Sequence, residues 1–390
     1  MLLKNIKWLG GCYFAYFGVL GVIVPYLSVF LSGRGFDSAT IGTIMAITLA
    51  MRVISPGLWS AIAQKSGRRV QMIRIGALLT IATLVCLSFD LAYWVMLALL
   101  AGYNLFWNGL QAQIETLTLN SLATQAARYP AIRAWGSIGF IIVTMITGVL
   151  VHQFGSETIE WIAAVSVSCL ILFTIPVVQP QVQMVQTPDR RHTNLQALFK
   201  PAMILFWLAI LCLQMSHGPY YTFFVLYLRQ GGYSTTFASA MVSLGVLVEI
   251  SMFMVAGRLF IRFSAHRVLL WALGLTVVRW LLLGYCRDIL PLLVLEQALH
   301  AASFALAHAA SMQLLSRQYT QAQQSSAQAL YASCGFGLGG ALGAFFSGLF
   351  WHDGSGAQLT MTIAAALAFL GFILVALMPK EMFEKDIANA

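Results

Sequence analysis

Charge is what this chain has least of. Only 9% of its 390 residues are Asp, Glu, Lys or Arg, against about 25% in soluble domains, so a water-soluble fold is excluded. Its six cysteines, Cys12, Cys86, Cys169, Cys212, Cys286 and Cys334, stand singly inside apolar stretches without CxxC or metal-ligand spacing. That sets aside redox and metal roles and leaves small buried hydrophobes. No GxSxG, HExxH or P-loop occurs and no soluble domain is appended, so a membrane enzyme or a sensor lacks its parts. No cleavable signal peptide stands out either, because the first apolar run is too long for an h-region.

What the chain has in abundance is apolar length. Hydrophobic residues make up 59% of it, and its mean hydropathy is +0.81. Runs able to cross a hydrocarbon core of about 30 Å recur throughout. Twelve spans are expected, at 8–31, 40–62, 71–89, 93–118, 132–152, 158–178, 201–227, 236–257, 267–285, 290–312, 326–350 and 358–378. They must be helices, since they are too long and too continuous for barrel strands. The net charge of +9 is distributed with a strong bias: with the N-terminus inside, seventeen Lys and Arg fall inside, three outside and two within spans. That is the positive-inside pattern, with an even number of spans and both termini cytoplasmic. The basic balance orients the chain, and no nucleic-acid partner is implied.

One long polar stretch between spans, 179–200, is rich in Gln and Pro and divides six spans from six. The expected organisation is a bundle at 1–178, a linker at 179–200, a second bundle at 201–378 and a tail at 379–390. An internal repeat supports it. Phe30-Leu31 through Gly35-Phe36 and Tyr227-Leu228 through Gly232-Tyr233 share aromatic-Leu-x-x-x-Gly-aromatic, each followed by a small polar helix start. The offset of 197 residues sets Arg52 opposite Glu249, so an intramembrane charge recurs in both halves with opposite sign. Parallel six-helix repeats with a midplane site describe the major facilitator architecture.

Several segments carry a resemblance to that superfamily. Ser60 through Arg69, SAIAQKSGRR, resembles its signature G-x-L-x-D-R-x-G-R-R, with Ser60 for the Gly and Gln64 for the acid. Arg68, Arg69 and Gly67 retain the basic end, and with Arg52 they are the candidate gating or structural residues; the loss of the acid puts an acid-based latch in question. Tyr129-Pro130 through Phe140 resembles the Y-G-x-x-R-x-W-G-S-x-x-F segment of 3-phenylpropionate permease and lactose-permease-like symporters, Pro130 being a departure. Gln214–Tyr221, Val277–Trp280 and Gln297–His308 resemble the same family, in the same order. The resemblance implies proton-coupled import of an organic solute, with arylpropionates the nearest named substrate.

Charges inside spans cost about 2.5–3.5 kcal/mol each on insertion scales, so each is a candidate site residue. In span 4, Asn104, Asn108, Gln111 and Glu115 fall at i, i+4, i+7 and i+11, within about 40–60° of one another on a helix. They are read as substrate-binding, with interhelical hydrogen bonding as the alternative. In related permeases an acid of helix 4 lies eighteen residues before the helix-5 Arg, and Glu115 and Arg133 have that separation. Arg133 offers a planar fork suited to a carboxylate, that of Glu115 or of a substrate. Tyr13 and Tyr16, with Phe17, and His217, Tyr220 and Tyr221 are the aromatic candidates for binding an aryl group. Glu249, Arg279, Glu296, His300 and His308 are read as the proton-coupling set, because buried Glu and His titrate near neutrality and a cation discharges the acid. Gln297, His300, Phe304 and His308 share one face of a regular helix.

The expected protein is thus all-α and polytopic, with twelve transmembrane helices in two six-helix bundles. It is expected to be a monomer in a bacterial inner membrane, with membrane lipid, a small-molecule substrate and protons as its partners. It needs no cofactor and no metal, since a proton gradient drives it. An aromatic carboxylate is the expected solute. A sugar or nucleoside symporter on the same scaffold and a drug exporter remain as alternatives.

Overall fold

The computed structural model describes residues 2–122, 125–179, 198–379 and 382. Twelve long helices follow the expected spans, and no strand occurs among the described residues. They are α1 (Asn5–Gly33), α2 (Ser38–Ser66), α3 (Arg69–Cys86), α4 (Tyr93–Leu122), α5 (Tyr129–Phe154), α6 (Ser156–Thr174), α7 (Met203–Gln230), α8 (Thr235–Arg262), α9 (Ala265–Tyr285), α10 (Leu290–Gln318), α11 (Gln323–Gly354) and α12 (Ala357–Ala376). Eleven are long and apolar enough to cross a membrane. The exception is α4, which has the length, 30 residues, but is diluted by the polar stripe of Asn104 to Glu115. The expected linker at 179–200 and tail at 379–390 lie almost wholly outside the described residues.

Local chemistry fixes where helices begin and end. Asp37 caps α2 by accepting the Thr40 N–H at 2.8 Å, and hydrogen bonds from Thr40 hold its carboxyl below the ordinary carboxylate value. Thr320 and Gln323 form a reciprocal capping box at the start of α11. The repeated loop takes the same shape twice. Gly35 and Gly232 both adopt left-handed φ, +82° and +84°. In the first loop Gly35 N bonds Ser32 O at 3.0 Å and Phe36 N bonds Leu31 O at 3.2 Å; in the second, Gly232 N bonds Arg229 O at 3.0 Å and Tyr233 N bonds Leu228 O at 3.1 Å. A Cβ would strain either turn, which is why glycine recurs at this offset.

The chain forms two compact units, Met1–Val185 with Thr222–Ser243, and Gln186–Tyr221 with Leu244–Ala390. In the first unit α1 is the buried element, with Leu9, Val19, Val22, Tyr26 and Leu31 fully covered. It crosses α5 at close range: Thr144 donates to Gly21 O at 2.9 Å, and Gly139 rests on the backbone of Phe14 with no space for a Cβ. Thr222–Ser243 belongs here because Thr235 donates to Gly148 O at 2.8 Å and Tyr26 shares a hydrogen bond with Ser239. Arg34 ties three loops together, donating to Glu157 at 3.0 and 2.5 Å, to Phe89 O at 2.8 Å and to Leu87 O at 3.1 Å.

In the second unit Met203, Phe206 and Ala209 of α7 pack with Val268 and Ala272 of α9, Ala310 and Leu314 of α10 and Val375 of α12. Two stretches among the described residues are wound more widely than a regular helix. Ala302–Leu306 in α10 and Ala332–Gly339 in α11 are π-helical. A wider turn rotates every residue beyond it, so helical-wheel arithmetic fails across these points.

The α1–α5 crossing yields a direct test. Gly139→Ala forces two backbones apart, costing about 1–3 kcal/mol as an overpacked contact, whereas a methyl at Gly57 would meet nothing within 4 Å. Thermal unfolding followed by size-exclusion chromatography is expected to show a lowered midpoint for Gly139→Ala and none for Gly57→Ala.

Candidate functional site

Candidate residues gather in one cluster per unit. In the second unit the centre is Arg279, on α9, with no exposed surface. Its Nε donates to Glu296 Oε1 at 2.8 Å and its Nη1 to Ser303 Oγ at 2.9 Å. The guanidinium lies 4.3 Å from the Tyr220 ring centroid and 4.4 Å from that of Trp280. Removing one partner of a fully buried ion pair typically costs about 3–5 kcal/mol, because the other charge is left uncompensated. Glu296, supported in the sequence by burial alone, is therefore the counter-ion of Arg279.

A second pair stands beside it. His300 Nε2 lies 3.4 Å from Glu249 Oε2, the two side chains being 5% and 20% exposed. Glu296 and His300 are four residues apart on α10, yet each has its own partner, Arg279 and Glu249. The His300 ring stacks on Tyr220 at 5.5 Å and on Phe304 at 5.8 Å. His308 lies beyond the π-helical turn at Ala302–Leu306, where the wheel of a regular helix no longer applies. It meets Tyr331 OH at 3.3 Å and the Phe253 ring at 6.2 Å.

His217 is fully buried and shares a 2.8 Å hydrogen bond between Nδ1 and Leu213 O. Its ring stacks on Tyr221 at 5.7 Å and meets Trp280 edge-on at 5.1 Å. Trp280 in turn donates to Ser216 at 3.1 Å.

In the first unit the α4 stripe is bonded along its own helix. Asn104 donates to Leu100 O at 3.1 Å, Asn108 to Asn104 O and Oδ1 at 2.9 and 3.0 Å, and Gln111 to Glu115 Oε1 at 3.2 Å. Glu115 and Arg133 form no ion pair. The Arg133 guanidinium lies 3.8 Å from the Phe17 ring centroid and 5.6 Å from that of Tyr13. Gly136, one turn on, leaves space for it, since a Cβ there would lie 2.6 Å from Phe17 and 2.8 Å from Arg133 Nη1. Arg133 is half-buried, and no described side chain or carbonyl accepts a hydrogen bond from it. Tyr16 lies flat on Trp107 at 4.6 Å, both 1% exposed, so its ring is packed rather than open. Arg52 is half-buried on α2.

The signature loop is held by amides. Gly67, with φ +66°, ends α2, and Arg68 is exposed. Arg69 donates at 2.8 Å to Gln113, a fully buried α4 residue whose amide also reaches Ser60 at 3.3 Å. Gln179 accepts from Val70 N at 3.3 Å and donates to Gly67 O. Gln297, Ser303 and Trp280 fall within family-like segments of the sequence without having been assigned these contacts, and Gln113 was missed altogether: it lies on the α4 face away from the stripe, where a lone amide gives no pattern.

The chain resembles known proteins along nearly its whole length. The model of the MFS_1 like family matches residues 6–363. The chain is 31% identical over 379 residues to a "Probable 3-phenylpropionic acid transporter" of Escherichia coli K12, covering 94% of this chain and 96% of that one. It is 27% identical to a "Maltose permease" of Geobacillus stearothermophilus, covering 84% of this chain and 83% of the relative. The crystal structure of the nucleoside transporter NupG superposes with a TM-score of 0.86 at 20% identity, covering 95% of this chain and 98% of that one, which shows a shared fold. The chain belongs to the MFS_1 like family and is a multi-pass membrane transporter of the major facilitator class.

Proposed function

We propose that the protein is a proton-coupled symporter that takes up a small aromatic carboxylate of the phenylpropionate class by alternating access. The observation that carries this reading is Arg133. Its guanidinium rests on aromatic rings and has no acceptor among the described residues. A planar fork with free N–H groups beside aromatic faces suits a ligand with a carboxylate and an aryl ring. The name of the E. coli relative points to the same chemistry. A sugar or nucleoside would draw on the α4 amides, and those already have partners along their own helix.

The proton is assigned to Glu249 and His300, the pair in the second unit that retains some exposure. Protonating Glu249 discharges it, and returning the proton restores an acceptor for His300; neither step leaves a fixed buried charge alone. His217, Tyr220 and Tyr221 support ring packing beside His300, Tyr13 lines the Arg133 side of the first unit, and Gly67, Arg68 and Arg69 are assigned to gating. The working unit is a monomer in the inner membrane with both termini cytoplasmic, driven by the proton gradient.

Proteoliposomes with an imposed inward proton gradient, offered labelled phenylpropionate, a disaccharide and a nucleoside, are expected to concentrate phenylpropionate alone. Uptake of none above empty vesicles would end this reading. Arg133→Lys keeps the charge but loses the fork, so KM is expected to rise about tenfold or more, from about 1.5–3 kcal/mol of charged hydrogen bonding. Glu249→Gln is expected to abolish uphill uptake while solute exchange continues; loss of binding as well would make Glu249 a solute ligand or a structural charge.

A further inference from the structure

Glu296 lies four residues before His300 on α10 and, as a buried carboxyl, would compete with Glu249 for the coupling proton. Both of its oxygens are occupied. Arg279 Nε donates to Oε1 at 2.8 Å, and Gln297 Nε2 donates to Oε2 at 2.9 Å. The amide of Gln297 is itself oriented, because its oxygen accepts the Tyr220 hydroxyl at 3.1 Å. Glu296, Gln297 and Arg279 have no exposed surface. Gly245 of α8 closes the space on the other side: a Cβ there would lie 2.8 Å from Gln297 Oε1 and 3.4 Å from the His300 ring.

We propose that Gln297 is a positioning residue that locks Glu296 as the permanent anionic partner of Arg279 and so keeps it out of proton transfer. The amide can donate to Glu296 only while its oxygen faces Tyr220. Turning it over would place an oxygen against Oε2, which fits only a protonated carboxyl. That state strands Arg279, which is held between the Tyr220 and Trp280 rings and tied to Ser303. The charged and titratable groups around Glu296 are Arg279 on α9, Tyr220 and His217 on α7, Glu249 on α8 and His300 on α10. Of these, Glu249 and His300 form a pair able to exchange a proton without opening the lock. Tyr220 joins the two systems, since its hydroxyl orients Gln297 while its ring stacks on His300.

The lock rests on the proton-coupled reading for its purpose, but its test does not depend on which solute moves. Infrared difference spectroscopy of the purified full-length protein reads protonated carboxyls directly as pH is varied. The neutral-pair variant Arg279→Gln/Glu296→Gln is expected to leave the protonated-carboxyl band of the wild type unchanged. Gln297→Met, which keeps the side-chain length without the amide, is expected to gain a new band and to move its midpoint upward by about one pH unit or more, roughly tenfold in proton affinity. Gln297→Glu can donate to Glu296 only when protonated, so its solute exchange is expected to approach wild type at low pH and to fall as pH rises. A merely structural residue would give one uniform loss instead. If Gln297→Met fails to fold, Tyr220→Phe, which removes the hydroxyl that orients the amide, is expected to shift the band in the same direction. Loss of a wild-type band in the neutral-pair variant, or no new band in either Gln297→Met or Tyr220→Phe, overturns the proposal. Failure of gradient-driven uptake with these spectra intact would overturn the transport reading alone.

Discussion

A guanidinium with no exposed surface inside an apolar helix bundle can persist only opposite a carboxylate. That constraint organises the second unit. Arg279 takes Glu296 as its partner, Ser303 as a further acceptor and two aromatic faces as its walls. Once these places are taken, neighbouring groups fall into order: Gln297 turns toward Glu296, Tyr220 toward Gln297, and His300 is left to Glu249. Charge that is expensive to bury is gathered in two pairs, Arg279–Glu296 and His300–Glu249, whose α10 members lie on adjacent turns of one helix.

The two clusters show how one residue type serves two ends. Arg279 and Arg133 both lie on aromatic rings. The first is sealed, with its acceptors built in; the second is half-buried and has none among the described residues. Cation–π contact holds each guanidinium without consuming its N–H donors, because the ring interacts through its face. What differs is whether the described residues supply an acceptor. Gly136 allows Arg133 to lie along Phe17, which explains a glycine within the Trp135-Gly136-Ser137 segment.

Much of the fold was legible because the membrane allows so few solutions. Apolar length located all twelve spans, and the repeated Gly35 and Gly232 turns show that the 197-residue offset has a physical basis in left-handed φ. The site residues were legible as individuals, since a charge in a span stands out against oil. Their pairings were not. Eighteen residues between Glu115 and Arg133 suggested a pair, yet Gln111 answers Glu115 and Phe17 underlies Arg133. The Gln297-to-His308 face was drawn on a regular helix, and no residue type announces the π-helical turn at Ala302–Leu306 that alters the wheel. Gln113 was hidden for another reason: the signature loop lacks its acid, and its replacement lies forty-four residues away on α4.

If one pair alone carries a proton and Arg133 receives a monovalent carboxylate, each cycle moves one negative and one positive charge together. Solid-supported-membrane electrophysiology on reconstituted protein tests this most directly. The expected result is phenylpropionate-dependent proton uptake with no sustained current and no dependence on membrane potential. A sustained solute-induced current, of either sign, would contradict it.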